Sequence, residues 1–218
     1  MIIDVIIKKA KRNLNDFGVR GLITKGLQYL FQTFYVRRTY RVYRIDLSAK
    51  RVPEEAPEGV LIRLINAEDT DAIIQIENME EWLQGKIIER LSHGICVVAF
   101  SGPQVIGFNL VAFREVYIPL LNLRQRLRPH QAWSEQITVS KAYRKQELAS
   151  ALRYRVFSAL QKRGIRTFYG GTLVSNIPSL RLAAKVGFQI IADVRYLKIL
   201  NRERRRWRKI RHDSRRED

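Results

Sequence analysis

From Val60 onward the hydrophobic positions change period in an ordered series. "VLIRLI" alternates as a half-buried strand does, and two helical patterns follow it. The first, "NAEDTDAIIQIEN", has Asn66 as a cap and an apolar face through Ala72, Ile73 and Ile76; the second, "MEEWLQGKIIERLSHG", stops at Gly94. "ICVVAF", a tight "SGPQ" turn and "VIGFNLVAFREVYI" predict a hairpin of apolar strands, and "HQAWSEQITVS" predicts a further strand beyond a basic loop. A long helix fits Leu148 to Gln161, with Leu152, Val156, Ala159 and Leu160 on its apolar stripe and Gly164 at its stop. "IRTFYGGTLV" then reads as a strand, "NIPSLRLAAKVGF" as a short helix launched by Asn176, and "FQIIADVRYLKIL" as a last strand. A strand-helix-strand crossover of this kind places two strands parallel in a mixed sheet.

The first 52 residues follow another rhythm. Leu22, Ile23, Leu27, Leu30, Phe31 and Phe34 recur near helical spacing, with Arg20, Lys25, Arg37 and Arg38 around them. This predicts a basic amphipathic extension over 1–52, which either packs on its own domain or lies on an anionic membrane surface. "KRVPEEAPEGV" reads as a linker over 53–59, residues 60–200 as the main domain, and 201–218 as a basic tail.

Charge sharpens this division. The formal net charge is +19, from 40 Lys and Arg against 21 Asp and Glu. Residues 1–52 carry 12 basic and 3 acidic side chains and residues 195–218 carry 11 and 4, whereas the long middle is nearly balanced. The ends are thus expected to meet a polyanion, with an anionic membrane ahead of nucleic acid. The single Cys96 lies inside an apolar run and excludes a disulfide framework, and His93, His130 and His212 have no ligand spacing, so no metal is expected. The Met1 end lacks the ordered regions of a signal peptide, and no apolar run is long enough to span a bilayer. The expected location is cytoplasmic, peripheral at the inner membrane surface if the basic ends engage it.

Two stretches carry candidate chemistry. After "ITV" the loop "SKAYRKQELASAL" opens the long helix, and the first N–H groups of a helix have no internal partner, so the loop predicts a phosphate site with Arg144 and Lys145 at its mouth. The loop "RKQELA" and the helix "NIPSLRLAAKVGF", in that order with a helix and strand between, resemble the two signatures of the GNAT superfamily of acyl-CoA-dependent N-acyltransferases. Arg144 and Ala149 match the phosphate loop, while Glu147 stands where that family has its first glycine. Asn176, Ser179, Gly187 and Phe188 match the second signature. The resemblance spans about Val60 to Leu200.

What the resemblance implies is an α/β (α+β) fold: a mixed, mostly antiparallel twisted sheet with flanking helices and two splayed parallel strands. It further implies acetyl-CoA or another acyl-CoA as co-substrate, bound at Arg144, Lys145, Gln146, Glu147, Leu148 and Ala149, with Asn176 and Ser179 beside the arm of the cofactor. Backbone from Ile137 to Val139 would hold that arm, and Glu135 would be the base that relieves an acceptor amine of its proton. The family's thiolate-protonating Tyr is replaced by Ala183, which leaves Tyr143, Tyr154, Tyr169 or water for that task. The implied activity is N-acetyl transfer to an amine, on an acidic or membrane-associated acceptor such as an amino sugar on a nucleotide or lipid carrier. The alternative, favoured by Glu147 and Ala183, keeps the fold without turnover, as a basic scaffolding module on a membrane or nucleic acid.

Overall fold

The computed structural model describes residues 35–53, 56–65, 69 and 81–210. The helical reading of 1–34, the helix expected after Asn66 and the last eight residues lie outside this range. The chain divides into two compact units, a larger one built from 40–194 with 207–210 and a smaller one from 35–39 with 195–206.

The strands are β1 (Tyr35–Asp46), β2 (Val60–Ile65), β3 (Gly94–Ser101), β4 (Gln104–Ala112), β7 (Gln131–Val139), β8 (Thr167–Leu173) and β9 (Gln189–Ile199); within the larger unit, 40–46 of β1 and 189–194 of β9 join the others in one sheet, in the order β9-β1-β8-β7-β4-β3-β2. A separate hairpin joins β5 (Glu115–Ile118) to β6 (Leu123–Arg126) through a 3-10 turn at Pro119–Leu121. The helices are α1 (Glu81–Leu91), α2 (Leu148–Gln161) and α3 (Ile177–Lys185). The expected mixed, mostly antiparallel sheet is thus present, and β7 with β8 supplies its parallel pair.

Strand alternation divides the core between the two sheet faces. From β3, Ile95, Val97 and Ala99 join Leu152, Val156, Phe157 and Leu160 of α2, while Cys96, Val98 and Phe100 join Ile87 of α1. The rings of Phe157, Phe168 and Phe188 meet with centroids 5.7–5.9 Å apart and extend the first cluster towards α3.

Residues 35–46 correct the expected helical extension. They form β1, which pairs antiparallel with β8 from Tyr40 opposite Leu173 to Asp46 opposite Thr167. The segment is rich in aromatic and β-branched residues, which suit a pleated surface. Arg38, Arg41 and Arg44, three apart, nevertheless imitate a helical polar face. Arg41 grips Asp193 of β9 through Nε at 2.8 Å and Nη2 at 2.9 Å. The main sheet therefore starts before Val60. The tail also departs from expectation, since Arg202–Lys209 is a strand, β10. Within the smaller unit, the Arg38 and Arg205 guanidinium groups lie 5.0 and 5.6 Å from the Tyr196 ring centroid.

Two adjacent glycines make β1 fit. A Cβ on Gly170 would lie 2.5 Å from Tyr43 Cε2, and one on Gly171 would lie 2.3 Å from Tyr40 Cε1. Both tyrosines are buried, so moving either ring would disturb its packing. Gly171→Ala is expected to cost about 1–3 kcal/mol through overpacking, read as a lower urea midpoint; an unchanged midpoint would mean the Tyr40 ring does not cover β8.

Candidate functional site

The parallel pairing of β7 and β8 lasts for three residues: Gln131 with Thr167, Ala132 with Phe168 and Trp133 with Tyr169. Beyond Trp133, β7 continues against β4 as far as Val139 opposite Gly107, and β8 continues against β1. The strands open into a cleft of about 300 Å³ whose wall includes Tyr40, Trp133, Glu135, Ile137, Gly171 and Ala183. Strand edges facing such a gap carry backbone groups without a strand partner, which an extended polar ligand can satisfy.

A β-bulge lies at the mouth of the gap. Leu110 of β4 faces Gln136 and Val111 faces Ser134, so Glu135 is the extra residue of β7. The bulge reverses the strand's phase: Ala132 lies on the α2 side before it, and Ile137 and Val139 pack on that side after it. Ser134 also faces α2, where its Oγ accepts from Arg153 Nη1 at 2.6 Å.

Glu135 faces α1 instead. Arg90 donates to it from Nε at 2.8 Å and from Nη2 at 3.0 Å, and the Glu135 side chain is only 1% exposed against 11% for Arg90. Gly94 makes this possible, because a Cβ there would come within 2.9 Å of the Arg90 stem and 2.2 Å of the Val111 carbonyl. Arg90 Nη1 also reaches the Glu115 carbonyl at 3.4 Å, linking the pair to the β5–β6 hairpin.

At the end of β7, Ser140 leads into a short 3-10 turn at Lys141–Tyr143 and then the loop before α2. Lys145 and Glu147 both have left-handed φ, 65° and 61°. No side chain caps α2, and its first intrahelical bond runs from Ala151 N–H to the Glu147 carbonyl. The N–H groups of 148–150 thus stand before the first intrahelical donor, at the positive end of the helix dipole. The Glu147 carboxylate is paired with Lys185 Nζ of α3, whose ammonium holds its carboxyl below the usual range. The negative charge that stands at the family's glycine position is therefore matched by a cation.

The predicted residues fall into three places. Glu135, Ile137 and Ser179 line the cleft, and Val139 ends the strand that leads out of it. Arg144, Lys145, Gln146, Glu147, Leu148 and Ala149 form the loop and first turn of α2; the Leu148 side chain is core, Arg144 Nε reaches the Val139 carbonyl, and Gln146 Nε2 reaches the Ala142 carbonyl. Asn176 lies outside the cleft lining, where its Oδ1 accepts from Ser179 N–H at 3.2 Å and caps α3.

The sequence reading missed Tyr40, Tyr43 and Arg153. The tyrosines lay in the supposed helix, although the "GG" of β8 signalled a close neighbour. Arg153 sits three and four residues before Val156 and Phe157, on the buried stripe of α2, and a charge on such a stripe was the available signal. Its residue exposure is 4%, and its guanidinium lies 5.7 and 5.8 Å from the ring centroids of Phe168 and Phe188. Burial pushes it below the ordinary guanidinium value. Of the earlier tyrosine candidates, Tyr169 stacks on Trp133 at 6.2 Å beneath the opening.

A family profile described as "Acetyltransferase (GNAT) family" matches residues 61–188, more than half of the chain. The chain belongs to the GNAT family. Among solved structures, a GCN5-related N-acetyltransferase from Sphaerobacter thermophilus is similar at 19% identity and a TM-score of 0.53, covering 87% of this chain and 57% of its own. A putative GNAT acetyltransferase from Novosphingobium aromaticivorans gives 16% and 0.52, with coverages of 72% and 62%. A Drosophila protein gives 12% and 0.56, with 83% and 58%. The chain spans roughly three fifths of the length of these structures, and the likeness is one of fold. No curated protein matches it.

The Glu135–Arg90 pair anchors the bulge of this GNAT domain to α1. Arg90→Met leaves a carboxylate buried without its guanidinium, and a loss of about 3–5 kcal/mol in denaturant unfolding is expected. A loss below about 1 kcal/mol would show that the pair is not what holds the bulge.

Proposed function

We infer that this protein is an acyl-CoA-dependent N-acyltransferase, acetyl-CoA being the expected donor, in which an acceptor amine attacks the thioester directly. The observation that carries this reading is the opening of β7 from β8 after three residue pairs, with the uncapped start of α2 at the far end of β7. The residues present suit a CoA: the α2 N–H groups with Arg144 and Lys145 would hold its diphosphate, and the β7 edge from Ile137 to Val139 would accept its amide arm. Ser179, on the cleft wall, would border that arm, with Asn176 fixing the start of α3 behind it. Such a ligand delivers a thioester carbon beside the bulge.

Glu135 is then the proton acceptor for the amine, through water. Arg90 donates to both of its oxygens, and Glu135 lies on the cleft wall, where such a water would reach it. As the new C–N bond forms, the amine proton passes by way of that water and the C–S bond breaks. Ala183 has no proton to give, so the leaving thiolate is protonated through water at the expense of the proton taken up by Glu135, which releases CoA as the thiol and restores the carboxylate. The basic ends of the chain favour an anionic acceptor and a cytoplasmic site of action at the inner membrane surface.

Two measurements test this. Calorimetric titration with acetyl-CoA should show micromolar binding, tightened by Glu147→Gly, which relieves the positive φ and removes a carboxylate from the loop; absence of binding in both proteins would overturn the reading. Glu135→Gln should lower kcat by about 10²–10⁴-fold while acetyl-CoA affinity holds. Unchanged turnover would remove Glu135 from the chemistry.

A further inference from the structure

The cleft has two sides of opposite electrical character. On the α1 side a carboxylate and a guanidinium neutralise each other in the Glu135–Arg90 pair. On the α2 side, Arg153 reaches the cleft wall with a full positive charge and no carboxylate beside it among the described residues. Only Nη1 is engaged, by Ser134 Oγ at 2.6 Å and Asn109 Oδ1 at 3.4 Å; Nε and Nη2 make no hydrogen bond there. Asn109 adds to the imbalance, because turning its Oδ1 to Arg153 leaves its Nδ2 buried without an acceptor. Donors thus outnumber acceptors in a pocket of fixed groups, and a buried cation held by neutral partners alone is poorly compensated.

We propose that Arg153 is an anion subsite at the base of the β7–β8 cleft, and that the protein's substrates include one whose carboxylate docks there. This rests on the acyl-transfer reading and names a substrate class for it. A planar carboxylate matches the free Nε–Nη2 edge of the guanidinium fork. The subsite is separate from the phosphate loop: Arg153 lies five residues into α2 from Leu148, about 7.5 Å along the helix axis. Phe168 and Phe188 turn their rings to the guanidinium and hold it in place from behind. Ser134, the residue before the bulge, fixes the guanidinium on the α2 side of the cleft that Glu135 borders from the α1 side, so a carboxylate on Arg153 would share that cleft with the bulge.

The carboxylate has two chemical sources, the distal end of a dicarboxylic acyl group or the α-carboxylate of an amino-acid acceptor. Affinities of the full-length protein for succinyl-CoA and for butyryl-CoA, its neutral counterpart of equal chain length, address the first source. The ratio of kcat/KM for α-amino acids over their α-carboxamides with acetyl-CoA, followed by product mass, addresses the second. A preference of about ten-fold or more for the charged member of either pair, lost in Arg153→Met, is the expected result, and the arm in which it occurs names the source. Flat ratios in both arms, with acetyl-CoA bound, would overturn the subsite and leave acyl transfer standing. Thermal stability in the presence of succinate keeps the two readings apart. If no acyl-CoA binds but succinate stabilises the native protein and not Arg153→Met, the subsite stands and acyl transfer falls; if neither occurs, both fall. Should Arg153→Met fail to fold, Arg153→Lys, which keeps the charge without the fork, replaces it in every arm and is expected to reduce the preference.

Discussion

Everything at the centre of this molecule depends on two parallel strands that stop pairing. β7 and β8 are held together by three residue pairs and by Trp133 stacked on Tyr169, and then each is claimed by another neighbour, β7 by β4 and β8 by β1. A bulge bends its strand and sharpens the local twist, and here the extra residue is Glu135, at the point of separation. The divergence is stabilised from both sides. On one side the Gly170–Gly171 pair lets the Tyr40 and Tyr43 rings lie against β8; on the other the Arg90 fork holds the bulged residue to α1.

The same bulge sorts charge. Without the extra residue, positions 134 and 136 would share a face, and so would 135 and 137. With it, Ser134 serves α2 and Glu135 serves α1, while Ile137 and Val139 return to the apolar layer under α2. One inserted residue thus sets a neutralised acid on one wall of the cleft and a cation lacking a carboxylate on the other. The chemistry proposed for the site uses both.

Much of this was legible in the sequence where local patterns and tertiary demands agree. The stripe of α2, the Asn176 cap and the apolar runs of β3 and β4 lead to the elements observed, and the crossover through α2 leads to the parallel pair. Legibility failed where two periods coincide. In β1, residues read as the end of a basic helical extension carry aromatic and β-branched side chains that suit a strand, and only pairing with β8 decides between the two. Glu135 could be placed near the opening by resemblance, but its partner is 45 residues away in sequence, and no local pattern announces a contact of that range. Glu147 looked like an obstruction to an anion; its αL conformation and its pairing with Lys185 are properties of the folded loop.

Cys96 gives the fold a practical property. It is the chain's single cysteine, it is fully buried in β3, and burial pushes its thiol up to about 12. At neutral pH it offers no thiolate to a reagent in solution. Free CoA released into the medium can accordingly be counted with a chromogenic disulfide against a silent protein background. A cysteine placed on the β5–β6 hairpin would likewise be the one position to take a fluorophore, which would report directly on events at the cleft mouth.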